Sequence, residues 1–142
     1  MSVNIKKSFG DKKIPRSTVS QLVMLEVGAA MAEGARKYGR HNYRNKEDIL
    51  ASVYYDSTCR HMDFWWEGED TDPDSKLSHI TKAIASLTVL RDSMLIGTFI
   101  DDRPPKMLNL IEWRKELEEK IREMKEKIPI SKKAVTQLNR RK

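Results

Sequence analysis

Cysteine and long apolar runs are nearly absent from this chain. Cys59 is the one cysteine in 142 residues, which excludes an internal disulfide and is typical of proteins in a reducing compartment. No apolar stretch approaches the roughly 20 residues of a membrane-spanning helix. The N-terminal sequence MSVNIKKSFG also lacks the apolar core of a signal peptide. We therefore expect a cytoplasmic protein with no membrane partner.

Several familiar motifs are missing as well. The sequence has no glycine-rich phosphate loop after a strand, no zinc-finger spacing and no serine-hydrolase elbow. No segment shows a convincing strand pattern. What remains is a series of amphipathic segments, which predicts an all-α bundle of about four helices with its sites between facing helices.

The net charge of +6 is unevenly distributed along the chain. Residues 1–103 carry 15 Lys/Arg and 15 Asp/Glu, whereas residues 104–142 carry 12 and 6. Pro104 and Pro105 separate the two parts, so we predict a helical domain over 1–103 and a charged helix with a basic tail over 104–142. Such a tail is more often a solubilising end than a binding site, which leaves nucleic acid as a weakly supported partner.

Caps and breakers mark the helices. Ser17, Thr18 or Ser20 can cap a first helix that ends near Tyr38. We predict a second helix over about 46–66, a third over about 76–96 capped by Asp74 or Ser75, and a fourth after the two prolines. Residues 1–16 are predicted to be an extended entry segment and 129–142 a frayed tail. Spacings of three and four residues predict these buried faces: Leu22, Leu25, Ala29 and Ala32; then Tyr55, Cys59, Met62 and Trp66; then Ile80, Ala83, Ile84, Leu87, Leu90 and Met94.

An acidic loop between the second and third helices is the most informative segment. Five of the eight residues from 67 to 74 are carboxylates, and a histidine lies on either side of the loop, His61 and His79. Crowded like charges repel one another, and protons, cationic side chains or a bound metal ion must relieve the repulsion. Because both flanking helices are predicted to be buried, we expect a metal site here. A solvated acidic turn is the plainer alternative.

The expected ligands follow from the chemistry of hard cations. Glu69 and Asp72 can converge on Mg²⁺ or Mn²⁺, with help from Asp56 or Asp74. His61 and His79 can bind the metal, move protons or anchor a ligating carboxylate. A helical wheel separates Asp56 from His61 by about 140°, so a site that uses both must wrap around the helix.

Cationic and aromatic residues at the end of the first helix, in the loop after it and in the second helix predict a phosphate-bearing substrate. Lys37 and Arg60 can bind phosphate oxygens, as can Arg44. Asn42 can hydrogen-bond a base or sugar, and Tyr38 offers a face for stacking. An exposed basic loop is the plainer interpretation of the segment after the first helix.

These residues resemble a known family. GARKYGRHNYR, DSTCRHMDFWWEGEDTDPDSKLSHI and TKAIASLTVL look like the phage-associated dATP/dGTP diphosphohydrolase family, which is related to MazG-like nucleotide pyrophosphohydrolases. The resemblance covers about residues 10–95 and is specific over 34–79. Three positions depart from the family pattern: Tyr43 replaces a Trp, Asp74 a Glu and Lys76 a Gly. The matching positions are Lys37, Tyr38, Gly39, Asn42, Asp56, Arg60, His61, Gly68, Glu69, Asp72, Ser75 and His79.

The resemblance implies an all-α hydrolase that converts a deoxynucleoside triphosphate to the monophosphate and pyrophosphate. It also implies a divalent metal, assembly as a homodimer or homotetramer, and work in the host cytoplasm if a phage encodes the chain. Members can supply dGMP for modified purine deoxynucleotide synthesis in phages with 2-aminoadenine DNA.

Together these observations give one principal hypothesis. Residues 1–103 form a Mg²⁺- or Mn²⁺-dependent pyrophosphohydrolase that acts on dGTP or dATP. The catalytic residues are His61, Glu69, Asp72 and His79, and the substrate-binding residues are Lys37, Tyr38, Asn42 and Arg60. The metal ligands are Asp56, Glu69, Asp72 and Asp74. One alternative is a non-enzymatic helical module that binds a partner or nucleic acid through its basic C-terminal part. A phosphatase or nuclease built on the same cluster is another.

Overall fold

The computed structural model describes residues 10, 13–45, 49–106 and 108–130. Within this part the chain forms four α-helices: α1 (Gln21–Tyr38), α2 (Ala51–Trp66), α3 (His79–Ile96) and α4 (Leu110–Lys127). The predicted all-α bundle is therefore confirmed. Most of the predicted entry segment (1–9 and 11–12) and of the basic tail (131–142) lies outside the described residues. None of the described helices is long and apolar enough to cross a membrane.

Residues 1–103 form one compact unit in which α3 packs against both α1 and α2. The buried Thr81 of α3 donates a 2.6 Å hydrogen bond to Glu26 of α1. The hydroxyls of Ser57 in α2 and Ser86 in α3 lie 3.1 Å apart. The inner surfaces of these helices therefore carry small and polar residues, and their partners satisfy them.

The first helix begins and ends at predicted signals. Ser20 is its N-cap and accepts a hydrogen bond from the backbone N–H of Val23. Its C-cap is Gly39, with φ +96°, a backbone conformation that a residue without Cβ adopts at low cost.

Two other helix starts, and the predicted absence of strands, were wrong. Ile49–Leu50 and Phe99–Ile100 form β1 and β2, a short parallel pair. The extended backbone of Leu50 delays the start of α2 to Ala51. In the third helix Ser78 is the N-cap, because Lys76 has a left-handed backbone (φ +59°) that a helix cannot contain.

The predicted buried faces of α1 and α2 were also wrong. Leu22 and Leu25 are 78% and 73% exposed, and Trp66 is 79% exposed. Tyr55 and Met62 are exposed too, and only Cys59 of the second set is half-buried. In α3, Ala83 is buried as predicted, whereas Leu87 and Met94 are exposed. The apolar stripes exist, but other residues of these helices face the interior: Val27 and Ala30 of α1 are buried, and Ser57 of α2 meets Ser86 of α3.

Residues 104–142 form a second compact unit, whose described helix is α4. Asn109 caps this helix by accepting a hydrogen bond from the backbone N–H of Ile111. Six apolar residues of this helix and its C-cap recur at spacings of three and four, and all are exposed: Leu110, Trp113, Leu117, Ile121, Met124 and Ile128.

A bidentate ion pair ties the loop after α1 to α3. The guanidinium of Arg44 donates to both carboxylate oxygens of Asp92, at 2.7 and 2.8 Å. These hydrogen bonds hold the pKa of Asp92 below its ordinary value, against the opposing effect of burial. Arg44, considered above as a phosphate ligand, therefore has a structural partner.

Arg44→Gln should lower the free energy of unfolding at neutral pH. A carboxyl group with a lowered folded-state pKa stabilises the protein above its unfolded value of about 3.9, and this contribution disappears as pH falls through the folded value. Urea unfolding at several pH values should therefore show a deficit that shrinks in acid. Arg91→Gln, at an exposed position of the same helix as Asp92, is the matched control. A deficit independent of pH would contradict this role for Asp92.

Candidate functional site

The acidic loop folds back on itself instead of extending into solvent. Asp72 N–H donates to the carbonyl of Leu77, and His79 N–H donates to the carbonyl of Asp70. Thr71 and Ser78 form an isolated antiparallel bridge. These bonds carry Asp72 back to the first turn of α3, so residues on both sides of the loop meet.

Three predicted site residues meet where the loop joins the helices. His61, Asp72 and His79 each offer one ligand atom, and these atoms lie within 4.8 Å of one another. The two imidazoles face each other with their Nδ1 atoms 2.9 Å apart. His79 is 1% exposed and its ring stacks on Phe64, whereas His61 and Asp72 are half-buried.

The loop backbone fixes the orientation of Asp72. Its Oδ1 accepts hydrogen bonds from the backbone N–H of Asp74 and from both the N–H and the hydroxyl of Ser75. Burial acts to raise the pKa of Asp72, but the donors from Ser75 outweigh it and hold the pKa below its ordinary value. Asp72 is therefore an oriented carboxylate at neutral pH.

His61 is electrostatically suited to remain neutral. Burial lowers its pKa, and the neighbouring His79 and Lys82 lower it further, while Asp72 opposes them. A neutral imidazole keeps a lone pair that can accept a proton or bind a metal ion.

The other predicted carboxylates lie apart from this cluster or at its rim. Asp56 and Asp74 are exposed and do not belong to the three-residue group, the one such group in the part of the chain that the structure describes. Glu69 is 60% exposed, with its Oε2 3.8 Å from Nε2 of His79. The predicted acidic site therefore becomes a cluster of two histidines and one aspartate with Glu69 beside it.

A groove of about 1020 Å³ opens between α1, α2 and α3, and His61 lines it. All four predicted substrate-binding residues line it too: Lys37, Tyr38, Asn42 and Arg60. Sites for small molecules typically measure about 300–1,000 Å³, so the volume suits a nucleotide. His61 belongs to both the groove and the cluster, which makes the two parts of one site.

The groove has a positive charge balance. Among the described residues that line it, four are cationic and one, Glu33, is acidic; the cations are Lys37, Arg40, Arg60 and Lys82. Glu33 forms ion pairs with Lys37 (2.5 Å) and with Lys82. Hydrogen bonds from these two lysines lower the pKa of Glu33. Of the described cations in the groove, Arg40 and Arg60 are the two that do not pair with Glu33, so they are available to an anionic ligand.

Lys82 and Arg40 are groove residues that the sequence analysis did not single out. Lys82 had a signal: it is the only charged residue in the apolar run ITKAIASLTVL of α3, three positions after His79. A lysine within an apolar run of a helix needs a partner, and Glu33 of α1 supplies it. Arg40 had no comparable signal, since it follows a turn glycine in a loop.

Lys76 explains one departure from the family pattern. The pattern has glycine where this chain has Lys76, and the backbone there is left-handed, with φ +59°. Glycine adopts this conformation at little cost, whereas other residues pay about 1–2 kcal/mol. The turn that returns Asp72 to α3 therefore needs a left-handed backbone at this position, whichever residue occupies it.

The donor set determines which metals fit. Two imidazole nitrogens and one carboxylate oxygen suit Mn²⁺ and other first-row transition ions, whereas Mg²⁺ prefers oxygen ligands. Of the two predicted metals, Mn²⁺ fits the cluster better.

The all-α fold places a cationic groove beside a cluster of two histidines and one aspartate, an arrangement suited to a phosphate-bearing small molecule. Over residues 3–103 the sequence matches the family described as dATP/dGTP diphosphohydrolase, N-terminal. The chain therefore belongs to this family of hydrolases, and the resemblance found in the sequence is confirmed. No match was found among curated proteins, and none among solved structures.

Arg60→Gln should weaken binding of inorganic tripolyphosphate by about tenfold or more, because it removes a charge-assisted hydrogen bond. Arg40→Gln should act in the same direction. Isothermal titration calorimetry at fixed ionic strength measures both effects. Arg91→Gln, outside the groove lining, is the control and should bind normally. Equal affinity of all three variants would show that the groove cations do not bind the anion.

Proposed function

We propose that the protein hydrolyses dATP or dGTP to the deoxynucleoside monophosphate and pyrophosphate, with a divalent metal ion as cofactor. The observation that carries this proposal is the shared position of His61, which lies in both the cationic groove and the cluster with Asp72 and His79. Membership of a dATP/dGTP diphosphohydrolase family supports the substrate class. We also propose that the reaction takes place in the cytoplasm, which would be the host's if a phage encodes the chain.

The groove residues divide the substrate between them. Arg60 and Arg40 bind phosphate oxygens, and Lys37 assists through its charge. Tyr38 and Asn42, at the end of α1 and in the loop after it, hold the nucleoside by stacking and hydrogen bonding. The proposed arrangement places the α-phosphate near His61, because this residue belongs to both the groove and the cluster.

The reaction itself is an in-line displacement. A water molecule loses a proton to the solvent and its oxygen forms a bond to the α-phosphorus. The bond from this phosphorus to the bridging oxygen breaks, and pyrophosphate leaves with the electron pair. His61, Asp72 and His79 would hold the divalent metal ion, which would neutralise phosphate charge and lower the pKa of bound water. His61 and His79 orient the cluster through the contact between their rings. The cationic side chains of the groove stabilise the charge that develops on the leaving group.

We further propose that the protein acts as a homodimer or homotetramer. Leu22 and Leu25 of α1 and Trp66 of α2 are each more than 70% exposed in the single chain. Exposed apolar surface of this kind is typical of an interface between subunits. A second copy of the chain would bury the stripes that the sequence pattern predicted to be internal.

The proposed reaction predicts its products. With Mn²⁺ present, purified protein should convert dGTP or dATP to the monophosphate and pyrophosphate, both measured by ion-exchange chromatography. Asp72→Ala should reduce the rate at least a hundredfold, while circular dichroism retains its helical spectrum. Asp63→Ala, at an exposed position of α2 outside both the groove lining and the cluster, is the control and should retain most activity. Release of orthophosphate alone, or no turnover, would contradict the proposal.

The proposed assembly predicts a molar mass two or four times the 16.5 kDa of the chain. Leu25→Glu should shift the protein towards the monomer, because it places a charge on the apolar face that the proposed assembly buries. Light scattering coupled to size exclusion measures this mass. Leu110→Glu is the comparison: if it alone dissociates the protein, then α4 and not α1 forms the interface.

A further inference from the structure

The contact between the two imidazoles leaves one buried atom without a partner. In a hydrogen bond between the Nδ1 atoms of His61 and His79, one nitrogen donates and the other accepts. If His79 accepts, its neutral ring carries the proton on Nε2, where that N–H has no acceptor. If His79 donates, Nε2 is an unpaired acceptor. Nε2 of His79 is buried and makes no hydrogen bond, so either tautomer leaves a polar atom unsatisfied.

A metal ion bound between the rings would remove this conflict. Both Nδ1 lone pairs would then bind the metal, and both protons would reside on the Nε2 atoms. Nε2–H of His79 would become a donor 3.8 Å from Oε2 of Glu69. The Glu69 side chain is 60% exposed, so a small movement brings it to hydrogen-bonding distance. Carboxylates commonly hold metal-binding imidazoles in this way.

The third donor is already oriented. Oδ1 of Asp72 accepts from Asp74 and Ser75, which leaves Oδ2 for a metal. Metal–nitrogen bonds of about 2.1 Å place two ligands of one ion within about 4.2 Å of each other. The three ligand atoms lie within 4.8 Å, so small side-chain rotations are enough to close the site.

We propose that His61, Asp72 and His79 bind one first-row transition-metal ion through the two Nδ1 atoms and Oδ2 of Asp72, with Glu69 as a positioning residue for His79. Two nitrogens and one oxygen with open positions favour Mn²⁺, Co²⁺ or Zn²⁺ over Mg²⁺. The open positions can take water or a phosphate oxygen from the groove. This assignment changes Glu69 from a metal ligand to the acceptor for a ligand.

The proposal concerns metal binding alone and does not depend on the proposed function. It is tested on the full chain, stripped with chelator, without nucleotide. Titration with Co²⁺ should produce visible ligand-field absorption that saturates at one ion per chain. Mn²⁺ and Zn²⁺ should displace Co²⁺, whereas Mg²⁺ at the same concentration should not.

Co²⁺ binding by single-residue variants distinguishes the residues that bind the metal from those that only lie near it. His61→Gln and Asp72→Asn, both at half-buried positions, should weaken Co²⁺ binding at least a hundredfold and alter the absorption band. His41→Gln is the matched histidine control and should bind as the unmodified protein does. Glu69→Ala should weaken binding by about 10–100-fold, the usual effect of losing such an acceptor. Glu69→Gln keeps an acceptor oxygen and should restore most of the affinity.

The opposite results would overturn the assignment. An unmodified protein that gives no Co²⁺ band, or an unchanged band in His61→Gln, would exclude the proposed ligands. Equal displacement by Mg²⁺ would indicate an oxygen-only site. Loss of binding in Glu69→Gln as severe as in Glu69→Ala would make Glu69 a ligand. If metal binds as expected but dGTP and dATP are not cleaved, the proposed function fails and the metal site remains.

Discussion

The packing of α2 against α3 through polar side chains is the constraint on which the rest of the unit depends. The rings of His61 and His79 are brought into contact, and Ser57 meets Ser86 one turn away on α2 and two turns away on α3. Apolar side chains would have made a more stable contact here, since the burial of apolar area drives folding. The chain instead places hydroxyls and imidazoles between its central helices. Each must find a partner or remain as a buried unsatisfied group, and Nε2 of His79 is such a group.

The same arrangement accounts for the apolar outer surface. Because α2 turns Ser57 and His61 towards α3, its Trp66 is exposed, and α1 buries the small Val27 and Ala30 while Leu22 and Leu25 are exposed. Within 1–103 the buried apolar residues are mostly small, and Val27, Ala30 and Ala83 are examples. A core of this size contributes modest stability to a unit of about 100 residues. Burial of the outer stripes by a second copy would therefore increase the stability of the unit. It would also explain why the stripes are apolar.

The acidic loop shows how local backbone geometry builds a site. Lys76 in a left-handed conformation and the hydrogen bonds from Asp74 and Ser75 to Asp72 form a tight turn. This turn leaves one oxygen of Asp72 beside the histidines, while Asp74 itself remains exposed. The loop has five carboxylates within eight residues, but only Asp72 belongs to the cluster. The groove carries positive charge beside this carboxylate. Most of its cations lie on α1, in the loop after it and on α2.

The sequence by itself determined that the chain is helical, where α1 begins and ends, and which family it belongs to. These features depend on near neighbours along the chain: caps, glycines, residue periodicity and the spacing of motif residues. The residues expected in the groove, among them Lys37 and Arg60, could also be named, because family patterns preserve them at fixed spacing. Periodicity shows which residues share a helix face, but it does not show what covers that face. Only the tertiary structure decided that the large apolar residues of α1 and α2 lie outside, that His61 meets His79 across 18 positions, and that Glu33 pairs with Lys82. These contacts depend on the packing free energy of all three helices together, which no local pattern contains.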